Sequence, residues 1–431
     1  MDISYLIGLA GIVLLFLFLF AGMPIFVAFG LGGIIIVLWS AGFPMVNLGN
    51  TFFNSISSFS LVAIPLFILA GELLLRMGAS QHLINLLKSF FGHLPGSLAV
   101  SSVAACAFFG ALTGSSAATL TAIGVIMIPA MLAEGYPESL AAGTIACSAP
   151  LGNLIPPSII LIVYGSVMQM SVSQLFAASF FPGIVATICL MGAAVIIFKK
   201  QKLPTLPKAS WRERGSSFIK AIPALLMPII ILGGIYGGIF TPTEAAAVAC
   251  LYVIIISFTI YHTPDSLSSL WKALSESVVM SCVIGAMIIG ALISGKMFGY
   301  LGIPQAFTHL IIAMKLSPIG FLLFGLMIII MLGCFMDNFP ILFIVIPILV
   351  HAGKELNIDP LYMAMVWFVG LEFGQITPPV GMSLYVASAI SKIRLETVMR
   401  GAVPFILALL VAAAFRIFIP QLSLWLPQAL R

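Results

Sequence analysis

Charge is what this chain lacks most. Only 7% of its 431 residues are Asp, Glu, Lys or Arg, where a soluble protein carries about 25%. With 61% of residues hydrophobic, no water-facing surface can be assembled, so the chain is an integral membrane protein with lipid as its surroundings. The short alternating segments of a membrane barrel are missing as well; the apolar stretches have helix length. The six cysteines (Cys106, Cys147, Cys189, Cys250, Cys282, Cys334) all sit in apolar segments, form no C-x-x-C pair and have no histidine at ligand spacing. They read as small core residues rather than metal ligands. There is no H-E-x-x-H, no G-x-x-x-x-G-K-[ST] and no G-x-S-x-G, and the five histidines form no cluster. These absences leave no zinc hydrolase, no ATPase and no serine nucleophile, and no enzyme is expected. A secretory signal is missing too. Asp2 replaces the usual early Lys or Arg, and Ile3–Phe20 runs on without a small-x-small cleavage site, so this stretch reads as a first membrane helix. The net charge of +5 lies mainly on loops and implies no nucleic-acid partner.

What is present is a sentence written twice. Leu151-Gly-Asn-Leu-Ile-Pro-Pro-Ser158 and Phe373-Gly-Gln-Ile-Thr-Pro-Pro-Val380 are both Gly-x-x-x-Pro-Pro interruptions inside apolar stretches. Proline removes a backbone donor and clashes with the preceding turn, so each doublet breaks a helix. In lipid, a broken helix is tolerated only where its freed backbone groups are buried in protein or line a cavity. Two breaks in corresponding positions of two halves point to a transporter's binding site.

The apolar pattern predicts spans at 4–22, 24–42 and 61–77, a hairpin at 97–134 with its tip near Thr113–Ser116, a broken helix at 138–170, and 172–198. It then predicts 219–240, 242–261, 276–295, a second hairpin at 318–353 with its tip near Asp337–Pro340, a second broken helix at 361–390, and 401–426. The repeat extends beyond the breaks: Gly71 and Gly78 match Gly295 and Gly302, Gly110–Ser115 matches Gly333–Asn338, Ile128-Pro129 matches Ile346-Pro347, and Pro182 matches Pro404. Each unit is roughly 130 residues long, a transporter repeat rather than a solenoid period. The organisation expected is N-terminal scaffold helices over 1–60, repeat one over 61–198, a basic connector over 199–220, central scaffold helices over 221–275 and repeat two over 276–431.

Orientation follows from Lys and Arg in short loops. The connector holds Lys199, Lys200, Lys202, Lys208, Arg212, Arg214 and Lys220, and the loop after the second break holds Lys392, Arg394 and Arg400. Both should be cytoplasmic. They fall at non-equivalent points of the two repeats, so the repeats run in opposite senses and both termini fall on the periplasmic side.

Several polar residues invite a function, each against a plainer role. At the first tip, Ser115, Ser116 and Thr119 can offer hydroxyls, and the turn carbonyls, to a cation and a substrate; small residues there also serve tight helix packing alone. Asp337, in Met336-Asp-Asn-Phe-Pro340, is either a functional acid at bilayer depth or a buried partner of backbone donors. Glu72 and Glu372 can each face an interface. Lys296 either snorkels to the outer interface or attracts an anion near the site. Thr241-Pro-Thr-Glu244 reads as a capping box.

The run Gly234-Ile-Tyr-Gly-Gly-Ile-Phe-Thr-Pro-Thr-Glu-Ala-Ala-Ala-Val-Ala249, together with the two Pro-Pro motifs, resembles the large membrane subunit of tripartite ATP-independent periplasmic (TRAP) transporters, the DctM-like family, over essentially the whole chain. The resemblance implies an all-α polytopic membrane protein: an inverted-repeat, elevator-type transporter of the ion-transporter superfamily, with two helical hairpins and two broken helices. It implies sodium as the coupling ion and no ATP, a bacterial or archaeal inner membrane, a separate small membrane subunit, and a periplasmic substrate-binding protein. The substrates implied are organic acids such as C4-dicarboxylates, sialic acid and other sugar acids. By the same resemblance, Ser115, Ser116, Thr119, Pro156, Ser158, Asp337, Asn338, Thr377 and Pro378 fall to the substrate site, with Lys296 added from its charge. Gly114, Ser115, Gly152, Asn153, Asp337, Gly374, Gln375 and Thr377 fall to sodium. A stand-alone sodium-coupled anion carrier of the same superfamily, which needs no binding protein, is the alternative. Half-helix N-termini at the breaks suit an anion and freed carbonyls suit sodium, in agreement.

Overall fold

The computed structural model describes residues 59–76, 79–201, 208–261 and 266–430, with scattered positions between 10 and 50. The predicted spans 4–22 and 24–42, and Gly78, therefore lie mostly or wholly outside the described residues. Among the described residues every regular element is a helix. Seven are long and apolar enough to cross a membrane, or up to nine if each bent pair is one span.

The first half runs through α1 (Ala63–Arg76), α2 (Ala79–Phe91), α3 (Ser97–Thr113) and α4 (Ser116–Ala133). Helices α3 and α4 are the first hairpin, and two residues turn it. Gly114 takes a left-handed backbone, φ 63°, and its N–H closes α3 on the Gly110 carbonyl. Ser115 is extended and its hydroxyl accepts from the Ala118 N–H, which restarts the chain as α4. A side chain at Gly114 would also meet the Pro157 carbonyl at 2.8 Å, so the turn needs glycine twice over. Then come α5 (Glu138–Leu154) and α6 (Ile159–Met168), bent by 43° at the first Pro-Pro break, and α7 (Val172–Lys199).

The second half holds α8 (Trp211–Tyr236), α9 (Pro242–Tyr261), α10 (Ser266–Tyr300) and α11 (Ile303–Ala313). The second hairpin is α12 (Pro318–Gly333) with α13 (Asn338–Glu355). The second broken helix is α14 (Pro360–Ile376) with α15 (Met382–Ser391), followed by α16 (Leu395–Phe418) and α17 (Gln421–Ala429). Both Pro-Pro bonds, Pro156-Pro157 and Pro378-Pro379, are cis.

Two groups of helices emerge from the packing. Helix α1 lies against α9 and α10, and α8 against α2 and α9. The hairpins and broken helices form the other group, in which the repeats interleave: α16 of the second repeat packs on α5 and α7 of the first. Glycines set these approaches. A side chain at Gly401 would lie 1.8 Å from the Ser139 carbonyl oxygen, so α16 and α5 touch backbone to backbone. Hairpin one meets its broken helix at Gly110 and Gly152, and hairpin two meets its own at Gly333 and Gly374. The two repeats thus make the same contact twice.

Three boundaries differ from the sequence reading. Helix α8 begins at Trp211 rather than 219, because Ser210 and Glu213 form a reciprocal capping box. Half of the basic connector is therefore helical, and Arg214 pins it to α2: its Nε donates to the Ser89 carbonyl at 3.2 Å and its guanidinium lies over Phe90 and Trp211. Helix α10 begins at Ser266 rather than 276, so Glu276 lies within a helix and Lys296 does not end it. The expected 401–426 span is two helices, because Pro420 brings no donor to carry α16 through residue 419. The capping box at Thr241 and Glu244 forms as read, with the Thr241 N–H donating to Glu244 Oε2 at 2.8 Å. Cys282 is exposed, so it is not a core residue as expected; Cys106, Cys147, Cys250 and Cys334 are buried.

Candidate functional site

The hairpin tips and the breaks meet at one cavity of about 770 Å³. Its first wall comes from the tip of hairpin one (Thr113, Gly114, Ser115, Ser116), from Asn153 just before the first break, from Gln375 just before the second, and from Asp337 at the tip of hairpin two. Its opposite wall comes from α1 and α10 and carries Glu72, Arg76 and Glu276.

The first wall is held by a short network that joins the repeats. Asn153 and Gln375 each follow the glycine of their motif, so they are equivalent positions. The Asn153 side-chain amide donates to Gln375 Oε1 at 3.4 Å. Ser116 ties both down: its N–H donates to Asn153 Oδ1 at 3.0 Å and its hydroxyl to Gln375 Oε1 at 2.9 Å. All three are buried, where an unpaired amide would cost several kcal/mol in a bilayer. The Asp337 carboxylate, at the start of α13, lies beside the Gln375 side chain and the Asn338 backbone N–H.

Backbone bonds repeat this symmetry. The tip of each hairpin offers a carbonyl to the start of the half-helix beyond the break: Ile159 N–H donates to Gly114 at 3.1 Å, and Gly381 N–H donates to Cys334 at 3.2 Å. These are the donors that the proline doublets leave without a helical acceptor. Side chains depart from the symmetry. Ser158 caps α6 and donates to the Asn153 carbonyl at 2.5 Å. Its counterpart Val380 caps nothing; it is exposed with Pro378 and Pro379, whereas Pro156–Ser158 are buried.

The cavity therefore gathers Glu72, Gly114, Ser115, Ser116, Asn153, Asp337 and Gln375 from the residues singled out in the sequence. Others stand behind its wall. Thr119 is buried and bonded to Thr113 through the hydroxyls at 3.2 Å. Gly152 and Gly374 are the contact points with the hairpins. Thr377 donates to the Phe373 carbonyl at 2.6 Å. Asn338 is 1% exposed, and neither atom of its amide is hydrogen-bonded among the described residues. Lys296 departs from the reading that put it beside the site: it is exposed on α10 and does not line the cavity, because the longer helix carries it past the cavity wall.

Arg76, Glu276 and Arg416 escaped the sequence reading. Arg76 Nη2 pairs with Glu276 Oε2 at 2.5 Å and its Nε stands 3.9 Å from Glu72 Oε2. A Glu at i and Arg at i+4 inside an apolar span was the available signal, since charges there are rare. Arg416, 3% exposed, donates to Glu372 Oε1 at 3.4 Å and to the Met365 carbonyl at 3.3 Å. This buried pair assigns Glu372 to the joint between α14 and α16.

The family model of the tripartite ATP-independent periplasmic transporter DctM component matches residues 12–422. The C4-dicarboxylate TRAP transporter large permease protein DctM of Pseudomonas aeruginosa is 38% identical over 398 residues, 92% of this chain and 93% of that protein. The sialic acid TRAP transporter large permease protein SiaM of Vibrio cholerae is 34% identical over 415 residues, 95% of this chain and 96% of that one. The crystal structure of the Alcanivorax borkumensis YdaH transporter superposes with a TM-score of 0.63 at 12% identity, over 89% of this chain and 88% of that one, a likeness of fold alone. The chain belongs to the DctM family of TRAP transporter large permease subunits, which are membrane transport proteins and not enzymes.

Proposed function

We propose that this subunit imports an organic acid anion, a C4-dicarboxylate, sialic acid or other sugar acid, by sodium-coupled secondary transport. The acid is delivered by a periplasmic binding protein, and a small membrane subunit completes the permease in a bacterial or archaeal inner membrane. The observation that carries this reading is the joining of Asn153, Gln375 and Ser116 across both breaks at the cavity wall. The relatives named for C4-dicarboxylate and sialic acid supply the substrate class.

The chemistry of the wall supports it. Asn153 Oδ1, Gln375 Oε1, the Ser115 and Ser116 hydroxyls, the tip carbonyls and Asp337 are hard oxygen donors suited to sodium. Two half-helices, α4 and α6, begin at Ser115 and Ser158 beside the first break, and their positive ends favour an anion. Pro156 and Pro378 shape the two breaks, and Pro156 lies just ahead of the Ser158 cap of α6. Substrate and sodium share one wall, so occupancy by one favours the other.

Alternating access then follows from carrying the hairpins and broken helices as one body against α1, α8, α9 and α10. The packing supports this division, because the interleaved repeats are joined by backbone contacts at Gly143–Gly401 that cannot slide. Both termini are assigned to the periplasm by the basic loops. The test is uptake into proteoliposomes holding both membrane subunits, with the loaded binding protein outside. An inward sodium gradient should drive accumulation without ATP. Uptake that persists with potassium replacing sodium on both sides would sink the coupling.

A further inference from the structure

The cavity's two walls differ in kind. The wall from the breaks is neutral apart from Asp337, whereas the wall from α1 and α10 carries two carboxylates and one guanidinium. Among the described residues, Arg76 is the one cation that lines the cavity. An organic acid entering it meets helix ends and hydroxyls on one side, and a full positive charge only at Arg76.

Arg76 is engaged but not used up. Its Nη2 pairs with Glu276 on α10 at 2.5 Å, and Glu72, one turn back on α1, stands 3.9 Å from its Nε. The Nε–H is buried and donates to nothing among the described residues. The three partners are unequally exposed: 24% for Arg76 and 20% for Glu72, but 56% for Glu276. Glu276 makes the closer contact, but it is the most exposed of the three, so water screens and competes for this pair. A guanidinium presents a planar fork that fits one carboxylate bidentately. A substrate carboxylate offers the same chemistry as Glu276 and is removed from water when it binds.

We infer that Arg76 is the carboxylate-recognising residue of the cavity and that Glu276 is its resting partner, exchanged for the substrate's carboxylate on loading. The stationary wall thereby checks the charge of what the moving wall carries. Glu72, one turn back with its carboxylate 3.9 Å from the Arg76 Nε, stays beside the guanidinium as a second negative charge. Loading also frees Glu276, which loosens α10 from α1 only when an acid is present. This inference rests on the proposed organic-acid substrate.

The test is uptake by the complete transporter, binding protein included. Wild type is first screened against a panel of C4-dicarboxylates and sialic acid, and the accepted acid becomes the probe. No uptake of any acid by wild type would fail the substrate reading itself, before any variant is made. With an accepted acid, Arg76→Lys and Arg76→Gln should each raise KM roughly ten- to hundredfold, the worth of a charged hydrogen-bonded contact. Arg76→Lys keeps the charge and loses the fork, so its failure marks carboxylate recognition. Glu276→Gln should lower KM, because it removes the competitor. A strut between α1 and α10 would behave otherwise: Arg76→Gln and Glu276→Gln would be equally impaired, and exchanging the two residues would restore uptake. That pattern, or an Arg76→Gln KM within twofold of wild type, overturns the inference. If the Arg76 variants do not reach the membrane, Glu276→Gln decides alone, with a lowered KM supporting the proposal and an unchanged or raised KM overturning it.

Discussion

Replacing Gly110 with alanine should impair transport severely while leaving most of the fold in place. A Cβ built at Gly110 lies 2.4 Å from Gly152 Cα and 2.8 Å from Gly152 N. Both are backbone atoms in the turn before the first break, so no side chain can swing aside. Ordinary contact begins at 3.4 Å, and α3 must therefore retreat from α5 by about 1 Å in a close-packed interior. Overpacking of this kind costs about 1–3 kcal/mol, which a polytopic protein survives. The site does not survive it as well. Gly114 and the hairpin tip follow α3, and the Ser116–Asn153 and Ser116–Gln375 bonds at 3.0 and 2.9 Å have only a few tenths of an ångström to give before they fail. Uptake in the reconstituted system should fall roughly tenfold or more, as a 1 Å misplacement does at other sites. The monodisperse peak and melting temperature in detergent should change little. Gly333→Ala tests the equivalent contact, where the added atom would lie 2.7 Å from Gly374 Cα, and should behave alike. Gly192→Ala is the control, since a Cβ there meets nothing within 4 Å among the described residues. Wild-type uptake by Gly110→Ala would refute the claim that the tip is positioned by this approach.

Glu372→Gln and Arg416→Leu each leave a buried partner uncompensated and should destabilise the protein by about 3–5 kcal/mol, read as a lowered melting temperature; a wild-type melt for either variant would show the pair to be idle. Inverted topology is tested by single cysteines at Glu134 and Lys354, the exposed trailing ends of the two hairpins, in a background lacking the native six. An impermeant thiol reagent added to intact, outer-membrane-permeabilised cells should label position 354 and not 134, and equal labelling of both would disprove the inversion.

The hairpins and broken helices were legible because their determinants are local and occur twice. A proline doublet breaks a helix wherever it falls, and glycine at a fixed distance before it marks a close approach, so Gly152–Pro157 and Gly374–Pro379 announced themselves. The tip of hairpin one was legible to within Thr113–Ser116, where Gly114 and Ser115 are a stop and a start in succession. The ends of α8 and α10 were less so. Ser210 and Glu213 lie in a charged connector that composition alone reads as loop, and the first turns of α10 are polar, so the hydropathy pattern begins ten residues late. That shift had a consequence. Glu276 looked like the edge of a span and Lys296 like its end, whereas Glu276 lies inside α10 at the cavity and Lys296 lies beyond it.

The same contrast separates what duplication preserves from what it does not. The backbone requirements of a broken helix are met alike in both repeats: a hairpin glycine against a break glycine, and a tip carbonyl for the orphaned N–H groups. Side chains were free to diverge, so Asn153 faces Gln375, and Ser158 caps its half-helix where Val380 leaves the second without a side-chain cap. Such divergence suits the two guests proposed, since identical halves would offer a cation and an anion the same surroundings. The charged wall arises elsewhere, on α1 and α10, and neither Arg76 nor Glu276 belongs to the repeated motifs. A symmetric pair of breaks supplies helix ends and carbonyls for any small ion. Under the proposed function, discrimination among organic acids would fall to residues that the repeat does not duplicate, and among the described residues Arg76 is the one cation that lines the cavity.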